Sequence, residues 1–332
     1  MPAYNAEKYI ANTISCILAQ SCGDFELIVV NDGSTDGTAD VVRSFADRRI
    51  RLLSVENGGP ARARNAALDS LESCDWIMFV DADDAMQPDL ISSALEAADG
   101  ADIVLQGFTI VNPDGTTNEY SEPAARYSSN ELGAHLQDLY KANLLNQVWA
   151  KLFRADLILS NGIRFPDYRW GEDRMFVFSC LEKADSVAVS PACGYRYLMH
   201  PGDSLITGWY DRKLEACISA DKAAHRMLAS LGGEDSEFFR YMFLKSVFSC
   251  FAMLNSPSCP LSGAEKKRYV SEAISDPYVK EHCSDVRFSA SSTLISRAIE
   301  RGSVPLLLFY SNCASFLSDL APMLFQKIKH RK

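Results

Sequence analysis

The ten cysteines form no C-x-x-C pair and no cluster with zinc-ligand spacing. That leaves no metal-module signature, and the thiols read as reduced, mostly buried side chains of a cytosolic protein. Excess positive charge is missing too. The 332-residue chain has a formal net charge of −10, whereas a general nucleic-acid binder is usually basic, so no nucleic-acid partner is expected. No internal repeat and no low-complexity segment occurs. Met1-Pro2-Ala3-Tyr4-Asn5 is neither basic nor apolar for long enough to read as a secretory signal. Residues 304 to 325 are largely apolar, but Asn312, Asp319 and two prolines interrupt them, which makes a true membrane span costly. Two readings remain for this segment. One is a core helix pair with a solvated tail. The other is an interfacial anchor whose basic end (Lys327, Lys329, His330, Arg331, Lys332) lies on anionic headgroups. The expected location is the cytoplasm, at the inner face of the cell membrane if the anchor reading holds.

What remains is an ordinary globular composition, 47% hydrophobic and 23% charged, enough for one large domain with a smaller appendage. The first half alternates helix-period and strand-like segments. Helices are expected over 6–19, 38–45 with Thr38 as N-cap, 60–71 with Pro60 in the first turn, and 88–97. Strands are expected over 25–30, 50–55, 76–80 and 102–111. This alternation predicts an α/β fold with a mainly parallel central sheet flanked by helices. From 120 to 205 the pattern loosens, with a helix at 130–140 and two short strands at 186–189 and 194–197. Beyond Gly208 the periods are helical, broken by Pro257, Pro260 and Pro277. Two regions follow: 1–207, and a mostly helical 208–332.

Acidic residues recur at the ends of these elements. Trp76-Ile77-Met78-Phe79-Val80 runs apolar throughout, as strands buried on both faces do, and ends in Asp81-Ala82-Asp83-Asp84. Ligands of open α/β sheets bind beyond the carboxyl ends of such strands. Asp81 and Asp83 are hard oxygen donors suited to Mg²⁺ or Mn²⁺, and like charges this close repel unless a cation joins them. The competing reading is a solvated turn. Asp32, after the 25–30 strand, suits the ring N–H of a uracil or thymine base, or equally an Asx turn that caps the next helix. Glu172-Asp173 opens a helical stretch after Gly171. These acids complement a helix dipole, or one is a general base. Asn57-Gly58-Gly59-Pro60 with Arg62 and Arg64 places N–H groups and guanidinium at a helix start, a setting for an anion or a solvated helix face. His200 is a lone histidine, more often structural than a ligand.

Taken together, these residues resemble the inverting family-2 glycosyltransferases of the GT-A fold, the type that builds bacterial cell-surface polysaccharide. Pro2-Ala3-Tyr4-Asn5 resembles their P-x-Y-N, and Val30 to Thr38 their V-N-D-G-S-x-D-G-T. Asn57-Gly58-Gly59 with Ala63-Arg64-Asn65 resembles N-x-G…A-R-N, Asp81 to Asp84 resembles D-x-D-D, and Glu172-Asp173 resembles E-D. The resemblance implies a nucleotide-diphosphate sugar donor, UDP-linked above others, and a saccharide or lipid-linked saccharide acceptor. It places Pro2, Ala3, Tyr4, Asp32, Arg64, Asp81 and Ala82 at the donor. It gives Mn²⁺ or Mg²⁺ to Asp83, with Asp81 and His200 as further ligands. His200 ends Tyr197-Leu198-Met199-His200, similar to a Y-R-x-H element in which Leu198 here replaces the arginine. Asp173 would be the catalytic base, with Glu172, Trp149 and Lys151 on the acceptor side. Family members carry an apolar strand immediately before P-x-Y-N, which leads to the expectation of a start upstream of Met1. Two alternatives stay open. A sugar-nucleotide pyrophosphorylase would need a basic, glycine-rich loop that residues 1–9 lack. An inactive transferase-like binding protein would fit the missing strand.

Overall fold

The computed structural model describes residues 1–200, 208–234 and 236–320, with side chains as far as Cys313. The chain forms two compact units, one of residues 1–203 with 223–234 and the other of 204–222 with 235–332.

The first unit contains β1 (Pro2–Ala3), α1 (Ile10–Leu18), β2 (Leu27–Asp32), α2 (Thr38–Ser44), β3 (Ile50–Val55) and α3 (Pro60–Asp69). It continues through β4 (Trp76–Met78), β5 (Ala85–Met86), α4 (Leu90–Ala98), β6 (Ile103–Val111), β7 (Thr117–Tyr120), β8 (Ala125–Ser128) and α5 (Ser129–Lys141). Then come β9 (Lys151–Arg154), α6 (Ala155–Ser160), α7 (Glu172–Lys183) and β10 (Ser186–Leu198). The helices follow the apolar spacing. Ile10, Ile14 and Ile17 make the buried face of α1, and Leu90, Ala94 and Ala98 that of α4. Thr38 is the first helical residue of α2 and Gly37 the cap; the Thr38 hydroxyl instead accepts the Ala6 N–H, 2.8 Å away.

Every residue of β2 is buried, as befits a strand covered on both faces. It pairs in parallel with β1 (Pro2 opposite Val30) and with β3 (Leu27 opposite Ile50, through to Asp32 opposite Val55). A second sheet runs β4-β9-β6-β10-β5, with β7 beside β6 and β8 beside β10. Its long parallel pair is β6 with β10, from Ile103 opposite Val187 to Val111 opposite Leu198. Short strands β4, β5, β7, β8 and β9 add antiparallel pairings around it. The two strands expected at 186–189 and 194–197 are one strand, interrupted by an irregularity between Ser190 and Tyr195.

Behind the ends of these strands sits an aromatic cluster of Phe79, Phe153, Phe165 and Phe176, each no more than 5% exposed. Phe165 and Phe176 stack at 3.9 Å, and Phe79 meets both edge-on. Such pairs contribute about 0.5–1.5 kcal/mol each beyond their burial. The cluster therefore fixes the end of β4 against α7.

The second unit holds the first part of α8 (Lys213–Ser230), whose remaining turns belong to the first. It also holds α9 (Glu237–Ala252), α10 (Gly263–Ser275), α11 (Pro277–Cys283), α12 (Ala290–Glu300) and α13 (Val304–Leu320). Phe243, Val247 and Phe251 of α9 are buried with Val279, Ile299 and Leu307. Capping boxes at Ser262 and Ser289 start α10 and α12. Of the ten cysteines, four are buried, five partly buried, and Cys74 is exposed in the loop before β4; none forms a disulfide. Among the described residues no helix is long and apolar enough to cross a membrane. The basic end of the chain, Lys327 to Lys332, lies outside the described residues.

Candidate active site

The turn after β4 is held from inside. Asp84 is fully buried; its Oδ2 accepts the Tyr195 hydroxyl at 2.6 Å and its Oδ1 the Leu198 N–H at 2.9 Å. The Tyr195 oxygen in turn accepts the Asp81 N–H at 3.1 Å. The Thr13 hydroxyl lies 2.9 Å from Ala82 O and 2.8 Å from Asp84 O. Burial, with the Asp81 charge adding to it, raises the Asp84 carboxyl well above the ordinary range. So the three aspartates do not share one role. Asp84 turns inward as an anchor, and the crowding of charge that suggested a cation is relieved in part because burial favours its uncharged form. Asp81 and Asp83 remain at the surface of the turn, both partly exposed. His200 reaches the same place: its Nε2 is 3.3 Å from Asp83 O, and its ring lies 4.2 Å from that of Tyr9.

Arg64 of α3 lies at the centre of the site and is 4% exposed. Its Nη2 is 2.8 Å from Asp81 Oδ1, and its Nη1 is 2.7 Å from Asp173 Oδ1 and 3.6 Å from Glu172 Oε1. Glu172 and Asp173 form the first turn of α7, entered through Gly171 at φ 75°, a left-handed conformation that glycine adopts without strain. Burial pushes Glu172 up to about 7, with the Asp173 charge adding to the rise. Asp173 is raised as well, because burial outweighs the Arg64 charge that favours its anion. Burial would lower Arg64, but the carboxylates of Asp173, Asp81 and Glu172 outweigh it and hold the guanidinium charged. Lys151, 1% exposed, is lowered to about 7 by burial against the opposing pull of Asp173.

Just ahead of α3, Asp32 is 3% exposed and accepts the Gly58 and Gly59 N–H groups on separate oxygens, each at 2.8 Å. Asn57 Nδ2 donates to Asp32 O at 3.0 Å. Gly33 has φ 69°, and a Cβ there would stand 2.8 Å from Asn57 N, so the close approach of the two loops requires glycine. The glycine N–H groups and the arginine that suggested an anion site thus both face anions of the protein itself. The P-x-Y-N turn is tied to the same loop: Asn5 N–H donates to Ser34 Oγ and Asn5 Oδ1 accepts Thr35 N–H. Ala3 is buried and Tyr4 is 53% exposed beside it. Trp149 is 7% exposed and stacks with Tyr195 (4.7 Å) and Tyr197 (5.5 Å). Lys151, also buried, donates from Nζ to Trp149 O at 3.4 Å.

The structure therefore brings together Arg64, Asp81, Glu172, Asp173 and Lys151, and separately Asp83 with His200. Sequence reasoning missed Tyr195 and Thr13. Only the two-residue spacing of Tyr195 and Tyr197 on a strand hinted at a shared face.

A model of glycosyl transferase family 2 matches residues 1–156. Succinoglycan biosynthesis protein ExoO of Rhizobium meliloti (strain 1021) is 30% identical over 292 residues, covering 85% of this chain and 82% of that one. The chain belongs to glycosyl transferase family 2. It is thus a glycosyltransferase, and the pyrophosphorylase alternative falls away. Putative glycosyltransferase EpsH of Bacillus subtilis (strain 168) is 27% identical, covering 85% of this chain and 83% of its own. Among solved structures, Staphylococcus aureus TarS 1-349 in complex with UDP-GlcNAc superposes with a TM-score of 0.68 at 20% identity, over 94% of this chain and 89% of that one. At that identity the likeness speaks to fold, which is the GT-A α/β fold with a helical C-terminal region. The family match stops at residue 156, short of Glu172, Asp173 and His200.

Proposed function

We propose that this family-2 enzyme transfers a hexosyl or N-acetylhexosaminyl group, with inversion, from a UDP-sugar to an acceptor hydroxyl in cell-surface polysaccharide or glycolipid synthesis. One observation carries the proposal: a single buried arginine joins Asp81 of the D-x-D turn to the Glu172-Asp173 pair, so a donor-side carboxylate and a candidate base share one site. The relatives support the setting, since ExoO is named for succinoglycan biosynthesis. The TarS structure, which holds UDP-GlcNAc, supports the donor class.

In this reading the P-x-Y-N turn, Asp32 and the Gly58-Gly59 loop receive the nucleotide, with Asp81 and Ala82 beneath the ribose. Oxygen donors from Asp83 and Asp81, with the His200 imidazole, suit Mn²⁺ or Mg²⁺. The His200 Nε2 stands 3.3 Å from the Asp83 carbonyl oxygen, so the imidazole and the turn are neighbours. A divalent ion there would neutralise charge growing on the departing diphosphate. Asp173 has Oδ1 committed to Arg64, so its other oxygen takes the proton of the acceptor hydroxyl. That hydroxyl attacks the anomeric carbon opposite the leaving group, and one displacement turns an α-linked donor into a β-linked product. Glu172, Trp149 and Lys151 frame the acceptor side.

The deciding experiment is UDP release. With Mn²⁺ and a panel including UDP-glucose and UDP-N-acetylglucosamine, the protein should free UDP from at least one donor. If UDP stays bound to sugar across the panel, the proposed donor class is wrong. We place the enzyme in the cytoplasm at the inner membrane face, supported by the apolar run of α13, where Phe309 is 59% exposed, and the basic sequence after it. Sedimentation with phosphatidylglycerol vesicles, absent with phosphatidylcholine, is the expected result.

A further inference from the structure

The A-R-N segment of α3 reaches toward one stretch of chain. Arg64 binds Asp173 and Glu172. Its neighbour Asn65 makes a two-way amide pair with Phe165: Nδ2 donates to Phe165 O at 2.8 Å, and Oδ1 accepts Phe165 N–H at 2.9 Å. The Phe165 ring lies under the Arg64 guanidinium, 5.4 Å from Cζ, and stacks on Phe176 of α7. Adjacent residues of α3 therefore grip both the loop that leads into α7 and the first turn of α7 itself. The far side of the same guanidinium holds Asp81. A guanidinium fork is planar and rigid, so engaging two carboxylates sets the distance and angle between them. Both terminal nitrogens face carboxylates of the protein itself, and Nε is buried without a hydrogen-bond partner, so the charge of the fork is already met inside the protein.

We propose that Arg64, with Asn65, is a positioning residue for the base and not a direct ligand of the donor. Arg64 fixes one Asp173 oxygen and leaves the other for the acceptor proton, while its second nitrogen holds Asp81 in register. Asn65 keeps the α7 entry from drifting relative to α3. The inference rests on the reading of Asp173 as base, but its test is separable from that reading. A shift of about 1 Å at a reacting group costs on the order of 10²-fold in rate.

Arg64→Lys keeps the charge and loses the fork. Three measurements on the full chain read the result. Amide hydrogen exchange over 165–175 should speed up while exchange in β2 stays as in wild type; unchanged exchange over 165–175 overturns the inference whether or not the protein is a transferase. Affinity for UDP with Mn²⁺ should fall by a few-fold as Asp81 loses its hold, and a loss of well over tenfold makes Arg64 a donor ligand instead. For a donor that wild type turns over, kcat for UDP release should fall about 10–10²-fold with donor KM within about threefold. A rise in KM at constant kcat would overturn the assignment. If Arg64→Lys does not fold, Asn65→Ala removes the neutral half of the tether and should give the same pattern at smaller size. Wild-type failure to release UDP would sink the UDP-sugar reading, leaving the exchange measurement to judge the tether.

Discussion

Asp173 and Glu172 are adjacent in sequence yet held differently. Asp173 takes Arg64 at 2.7 Å, while Glu172 is 3.6 Å from the same nitrogen and is pushed up to about 7. The shorter bond marks Asp173 as the oriented carboxylate. Asp173→Asn should lower transfer by about 10²–10⁴ while calorimetry still detects UDP with Mn²⁺. Because burial raises Asp173 above the ordinary carboxylate range, the acid limb of the wild-type rate profile should also lie above that range. Below the limb the base carries its proton and transfer stops. Glu172 makes a separate prediction for stability. Its folded value of about 7 exceeds the ordinary glutamate value of 4.5, so between those pH values the folded state holds more protons than the unfolded one. Stability contributed by this group falls as pH rises through that window and does not recover above it. Glu172→Gln should therefore unfold at a higher urea midpoint than wild type at pH 8, by on the order of 1–3 kcal/mol, with the advantage gone near pH 4.

The β4 turn shows why elements differ in how legible they were. Asp81 and Asp83 could be found because an apolar strand ending in carboxylates is a one-dimensional pattern. Asp84 carried the same pattern and a different job, and only its partners from β10 and α1 separate the two. Tyr195 belongs to that interior lattice, and no local spacing names it. Tyr195→Phe should cost about 1–3 kcal/mol by leaving the buried Asp84 carboxyl and the Asp81 N–H short of a partner. It should also weaken Mn²⁺-dependent UDP binding by loosening the turn, while ring stacking on Trp149 is retained. Urea unfolding and calorimetry read the two effects separately; full stability with intact binding would mean the turn is held by Thr13 alone. The helices and the parallel strands of the first half were legible for a similar reason: their burial on known faces repeats at a fixed period. Strands β5, β7, β8 and β9 were not, being two to four residues long and specified by cross-strand partners. The irregularity between Ser190 and Tyr195 hid the continuity of β10 in the same way.

At the scale of the molecule, helical periodicity beyond Gly208 predicted helices but not which body they join. An amphipathic pattern specifies that a face is buried and leaves its partner open. Residues 223–234 return to the first unit, so no single cut along the chain separates the two bodies. The return depends on a close approach to α5. A Cβ at Gly133 would stand 2.2 Å from Leu231 O and 2.8 Å from Gly233 N, both backbone atoms with no side chain to swing aside. Leu228 and Leu231 are buried at this junction. Elsewhere in a helix interior, glycine to alanine stabilises by about 0.5–1 kcal/mol. Gly133→Ala should do the reverse, destabilising by about 1–3 kcal/mol as overpacking displaces the 223–234 segment. Hydrogen exchange should then rise in residues 223–234 and α5 while β2 stays protected. A Gly133→Ala protein as stable as wild type, with no change in exchange there, would detach the returning segment from the transferase core.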